Sequence, residues 1–183
     1  MKRRLGWPLN RTAKAVGYSP IMLTQVKTQL AASGLCTGKI DGRTTRFHFN
    51  YQGRNLWDAA LTYLANPERH FDWVRWEKPG EPAVLAGLSA LSEATLLAAP
   101  RIPTYAIRNK EYQDLLKRGE IHNTSQRDVA NARIEAWSYD PRLLAEKGRV
   151  DALSLYLTLR DSPDERVQQQ LEILLEAVLW SKG

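Results

Sequence analysis

Met22, Thr24, Gln25 and Thr28 share one side of a stretch that reads as a helix from Pro20 to Gln29. Small polar side chains on the outside of a helix can donate to and accept from base edges in a major groove. A second group follows around an Asp41-Gly42 pair: Lys39, Arg43, Thr44 and Arg46. Cationic and hydroxyl groups at a hairpin tip suit phosphate oxygens or an adjacent minor groove. Residue types for covalent or metal chemistry are sparse by contrast. His48, His70 and His122 stand in separate segments, and the single cysteine is Cys36. His48 is expected at the surface, and the other two in loops. Glu135, Asp140 and Asp151 lack metal-site spacing, and neither a P-loop nor Gly-x-Gly-x-x-Gly occurs. Ser19 and Ser162 read as helix caps. No catalytic residue, metal or cofactor is expected, and the chain does not read as an enzyme.

Elements must hold the two polar groups side by side. Asn10 caps a short helix over residues 11–16, which Gly17 ends. Ser19 caps the next helix, and Pro20 suits its first turn because the missing N–H costs nothing there. Leu23, Val26 and Leu30 form its inward stripe, and Gly34 closes it. Residues 36–40 and 43–50 read as a hairpin whose Asp41-Gly42 pair supplies the tight turn. Phe47 and Phe49 point to one face of the return strand, Arg46 and His48 to the other. A further helix from Gln52 to Leu64 offers Leu56, Ala60 and Leu64, with Trp57 and Leu61 beside them.

Charge sharpens the expectation. The 183 residues carry 26 Lys+Arg against 20 Asp+Glu, a formal net of +6. Residues 1–66 hold ten of the basic residues and only Asp41 and Asp58 as acids, a net of +8, so the remainder is at −2. A field confined to the first third suits a polyanionic partner through Coulomb attraction and counterion release. No run approaches the roughly 18 apolar residues of a membrane span, no signal-peptide pattern opens the chain, and one cysteine fits a reducing compartment. A cytoplasmic protein is expected.

The run RTAKAVGYSPIMLTQVKTQLAASGLCTGKIDGRTTRFHF (Arg11–Phe49) resembles the MarR-like winged helix-turn-helix pattern. That resemblance implies Pro20–Gln29 as recognition helix and Lys39–Arg46 as wing. It implies duplex DNA as partner, typically an inverted-repeat operator bound by a homodimer. The pattern includes another helix ahead of Asn10, where nine residues stand. Either residues 53–64, the C-terminal region or a partner are expected to cover that side of the core, or the chain starts further upstream than Met1.

Three regions follow: a DNA-binding domain over 1–65, a linker over 66–82 containing Trp73 and Trp76, and an α+β domain over 83–183. The tryptophan pair is expected to pack between domains rather than stack on unpaired bases. In the last region 85–99 reads as a close-packing helix rich in Ala, Gly and Ser, and 104–108 and 133–139 as strands. Ser162 to Glu165 reads as a capping box for a helix striped by Val167, Leu171, Leu174 and Val178. The fold class is thus α+β, a winged helix-turn-helix followed by a mainly helical domain with a small sheet. The segments Leu85–Ile107 and Glu135–Glu176 resemble the C-terminal part of AbiEi-type antitoxins. That implies an autoregulating repressor encoded beside a nucleotidyltransferase-fold toxin. A ligand-responsive MarR-like regulator and a protein-binding winged helix stay open as alternatives.

Overall fold

A computed structural model describes residues 7–8, 19–41 and 44–180. The fold is α+β and divides into two compact units, residues 1–64 with 182–183 and residues 65–181. The helix expected over 11–16 lies outside the described residues.

In the first unit, β1 (Trp7–Pro8), α1 (Pro20–Ala32), β2 (Cys36–Asp41), β3 (Thr44–Phe49) and α2 (Gly53–Ala60) follow one another. The strands form an antiparallel sheet in the order β1-β3-β2. Ser19 caps α1: its Oγ accepts from the Met22 amide at 3.3 Å, with Pro20 in the first turn. Gly34 follows the helix end at φ +69°, where a side chain would be strained. Asp41 pairs with Thr44, so Asp41 belongs to the strand rather than to the turn. Phe47 is buried, but its expected companion Phe49 is 40% exposed. From α2, Trp57 is buried and Leu56 half-buried.

The second unit is built on a five-stranded sheet in the order β5-β6-β8-β4-β7. Its strands are β4 (Glu68–Trp76), β5 (Val84–Leu85), β6 (Thr104–Arg108), β7 (Ile121–Asn123) and β8 (Ala132–Trp137). Only the β6–β8 pair is parallel among the pairings of this sheet. The helices are α3 (Gly87–Ala94), α4 (Asn109–Lys117), α5 (Ala152–Leu159) and α6 (Glu165–Trp180). Successive strand residues face opposite ways, and each side of the sheet buries its own core. Ala106 and Trp137 pack with Ala90, Leu91, Leu155 and Leu171 of α3, α5 and α6. Ile107, Ile134, Val74 and Trp76 pack with Tyr112 and Leu115 of α4.

The expected linker and the expected cap of α6 need correction. Residues 66–82 are not a linker, since β4 runs through them between β8 and β7. Pro67, Pro79 and Pro82 bracket the strand without interrupting it, which is where proline does no harm to a ladder. Trp76 accordingly packs inside the core of the second unit. The cap of α6 is also not the one expected. Asp164 accepts from the Arg166 amide at 3.0 Å, while Ser162 Oγ accepts from the Asp164 amide one step earlier. The Arg166 guanidinium on the same carboxylate holds Asp164 below the usual carboxylate range. The inward stripe of α6 is Val167, Leu171 and Leu175, with Leu174 and Val178 half-buried.

Candidate nucleic-acid interface

Helix α1 turns Met22, Gln25, Thr28 and Gln29 outward, and Val26 and Leu30 are half-buried on the inward stripe. Met22 is 44% exposed and Ile21 76%, so the outer side of the helix is uncovered within its unit. The backbone of Pro20 and Thr24 is in the helix. Its C-terminal end is tied to the hairpin by polar contacts. Asn50 Nδ2 donates to the Gly34 carbonyl at 2.8 Å, the Asn50 amide to the Leu35 carbonyl at 2.9 Å, and Thr37 Oγ1 to Asn50 Oδ1 at 2.9 Å. Cys36 completes the junction. Its buried thiol lies 3.4 Å from the Leu30 carbonyl, and burial pushes the thiol pKa up. An inert packing role follows, because the reactive form of cysteine is the thiolate.

On the hairpin, Lys39 of β2 stands opposite Arg46 of β3, and both are exposed. Cross-strand partners share a face, so two cations lie side by side. Thr44 pairs with Asp41 at the end of the ladder. Arg43 lies outside the described residues. Helix α1 and the paired cations therefore belong to one compact unit, and the hydrogen bonds of Asn50 fix the helix end against the strands.

In the second unit several titratable groups are engaged with neighbouring groups. His70 and His122 sit on strands β4 and β7, not in loops. Tyr112 is fully buried, with its hydroxyl 2.8 Å from Asp72 and 2.7 Å from Asn123. Burial and the Asp72 carboxylate both push its pKa up. Asp140 accepts from the Arg142 guanidinium, which holds its carboxyl below the usual range. Asp151 caps α5 through the Leu153 and Ser154 amides. Among the described residues, no three His, Cys, Asp or Glu side chains gather closely enough to hold a metal ion.

Sequence reading missed one arrangement. Glu135, only 1% exposed, accepts from Arg133 Nη1 at 2.6 Å and from the Trp137 indole N–H at 3.2 Å. Arg133 also reaches Glu68 at 3.4 Å, so one guanidinium serves two carboxylates. Burial pushes the Glu135 carboxyl up to about 7, against the lowering effect of Arg133. The backbone of α3 comes close to this carboxylate. A Cβ on Gly87, whose φ is +51°, would meet Glu135 Oε1 and Thr104 Cγ2 at 3.0 Å. Gly87→Ala is therefore expected to cost about 2 kcal/mol in urea denaturation, combining strain with crowding. Gly148→Ala, with φ +79° but nothing within 4 Å of its Cβ, should lose only the strain, about 1 kcal/mol. Equal costs would mean that Gly87 does not abut the carboxylate.

Among the described residues no helix is long and apolar enough to cross a membrane. No protein-family model matches the chain, and no curated protein or solved structure matches it either.

Proposed function

We propose that this chain is a sequence-specific DNA-binding repressor acting in the cytoplasm, with its first unit serving as a winged helix-turn-helix. The carrying observation is the company that α1 keeps: exposed Met22, Gln25 and Thr28 share a compact unit with the paired, exposed Lys39 and Arg46. That unit lies in the segment whose formal charge is +8. In this reading α1 enters a major groove, where Gln25 meets a base edge. Lys39, Arg43, Thr44 and Arg46 of the wing hold phosphates and position the helix without reading sequence. Two copies bind the halves of an inverted repeat. The second unit then regulates, as in an antitoxin partnered with a nucleotidyltransferase-fold toxin, and a gene of that type beside this one would favour the reading over a metabolite-sensing regulator.

A gel-shift series against the DNA upstream of the chain's own gene, at two salt concentrations, tests the proposal. Gln25→Ala should shrink the preference for that DNA over unrelated duplex by about tenfold. Arg46→Ala should weaken both duplexes alike and lower the salt slope by about 1. Arg43→Ala is expected to behave as Arg46→Ala does. Equal losses of preference in the Gln25 and Arg46 variants would overturn the assignment of roles, and absence of duplex binding would overturn the function.

A further inference from the structure

The sheet of the second unit is covered unevenly. On the side where α3, α5 and α6 pack, the covered positions belong to β5, β6 and the Trp137 end of β8. Pairing fixes what else faces that way: Phe71 lies opposite Glu135, Trp73 opposite Arg133, and Arg75 opposite His122. Phe71 is 47% exposed, Trp73 is half-buried, and Arg75 and His122 are exposed. A strip of open sheet face therefore carries two aromatic rings, set edge to face with centroids 6.3 Å apart.

Each ring is backed by a guanidinium. Arg133 lies 4.2 Å from the centroid of Phe71, and Arg127, from the turn after β7, lies 4.9 Å from that of Trp73. Such stacking orients a ring and polarises its π-system. On the strip itself the exposed charges are Arg75 on β4 and Arg127 beside Trp73. Glu68 and Glu135 are both held by Arg133 and are 17% and 1% exposed in their side chains. Asp128, beside Arg127, is outnumbered by Arg75 and Arg127, and Glu77 and Glu120 lie past the strand ends.

Partly exposed aromatic rings on a sheet, each with a guanidinium over one face, match the chemistry of unpaired bases on a phosphate backbone. Rings stack on any base, and the cations follow the chain of phosphates. We propose that the β4 face of the second unit, built on Phe71 and Trp73 with Arg75 and Arg127, binds single-stranded nucleic acid. This site is separate from the duplex-binding surface proposed for the first unit and does not rest on it.

The test uses the full chain with excess unlabelled duplex, so that the first unit is occupied. Fluorescence anisotropy with labelled oligothymidylate and oligouridylate of about twelve nucleotides should show binding that persists under competition. Phe71→Ser and Arg127→Ser should each weaken it by about tenfold while duplex affinity stays constant. If Phe71→Ser lowers the melting temperature, Arg75→Ser, whose side chain is exposed, carries the same expectation. Unchanged single-strand affinity in these variants would overturn the proposal, as would a parallel fall in duplex affinity. So would sedimentation showing that the substitutions dissociate a dimer, because a second copy would then occupy the face.

Discussion

Arg133→Met is expected to destabilise the second unit by about 3–5 kcal/mol at pH 8, the cost of leaving a buried carboxylate without its partner. The side chain is held on three sides. Nη1 bonds to Glu135 at 2.6 Å, Nη2 reaches Glu68 at 3.4 Å, and the guanidinium covers Phe71 at 4.2 Å. Methionine keeps much of the stem and removes the charge, so packing loss is small beside the electrostatic one. Among the described residues, Glu135 then keeps the Trp137 indole N–H as its hydrogen-bond donor. Protonation is its escape, and the loss should therefore shrink as pH falls toward 5. Urea denaturation at pH 5 and pH 8 reads this directly, and the melting temperature at pH 8 should drop by more than about 10 °C. A loss below about 1 kcal/mol, equal at both pH values, would match an exposed ion pair instead.

That cluster was not legible in the sequence, and the reason is physical. Arg133 and Glu135 two apart on a strand look like a solvated pair, because nothing local says which face of the sheet is covered. Burial of Glu135 comes from β6 on one side, β4 on the other and the close approach of Gly87 above. Strand β4 itself was hidden by its flanks. Pro67 before it and Pro79, Gly80 and Pro82 after it have the composition of a connector, and its residues alternate between two faces that both hold aromatics. Strand β6 was readable from Thr104, Tyr105 and Ile107 following Pro103, and β8 from the branched Ile134 and the aromatic Trp137.

The first unit was more transparent. Ser19-Pro20 states a helix start in two residues, and Ser19 caps the helix as expected, accepting from the Met22 amide. The hairpin followed from alternation, although Asp41 joins the ladder and the exposure of Phe49 departs from a uniformly apolar face. The cap of α6 shows the limit of pattern reading. Ser162 and Asp164 are both good caps, and sequence alone does not choose between them. Asp164 prevails because Arg166 also binds its carboxylate.

Glu135→Gln is expected to reverse the usual sense of a substitution in a core, raising stability at pH 8. The carboxyl titrates near 7 in the folded chain against an ordinary 4.5. Between those values the folded state binds the extra proton, so stability falls as pH rises. The contribution is fully present below about pH 4.5 and lost by the time pH passes 7, a swing of about 3 kcal/mol. Glutamine does not titrate, and its carbonyl can still accept from Arg133. Its amide group cannot replace the oxygen that accepts from Trp137, which costs about 1 kcal/mol. The net expectation is a variant less stable than the parent at pH 5 by about 1 kcal/mol and more stable at pH 8 by about 2 kcal/mol. Urea midpoints measured across that range should cross between the two pH values. Parallel profiles would show that Glu135 keeps one protonation state throughout, with Arg133 fully balancing its charge and Glu68 contributing no repulsion.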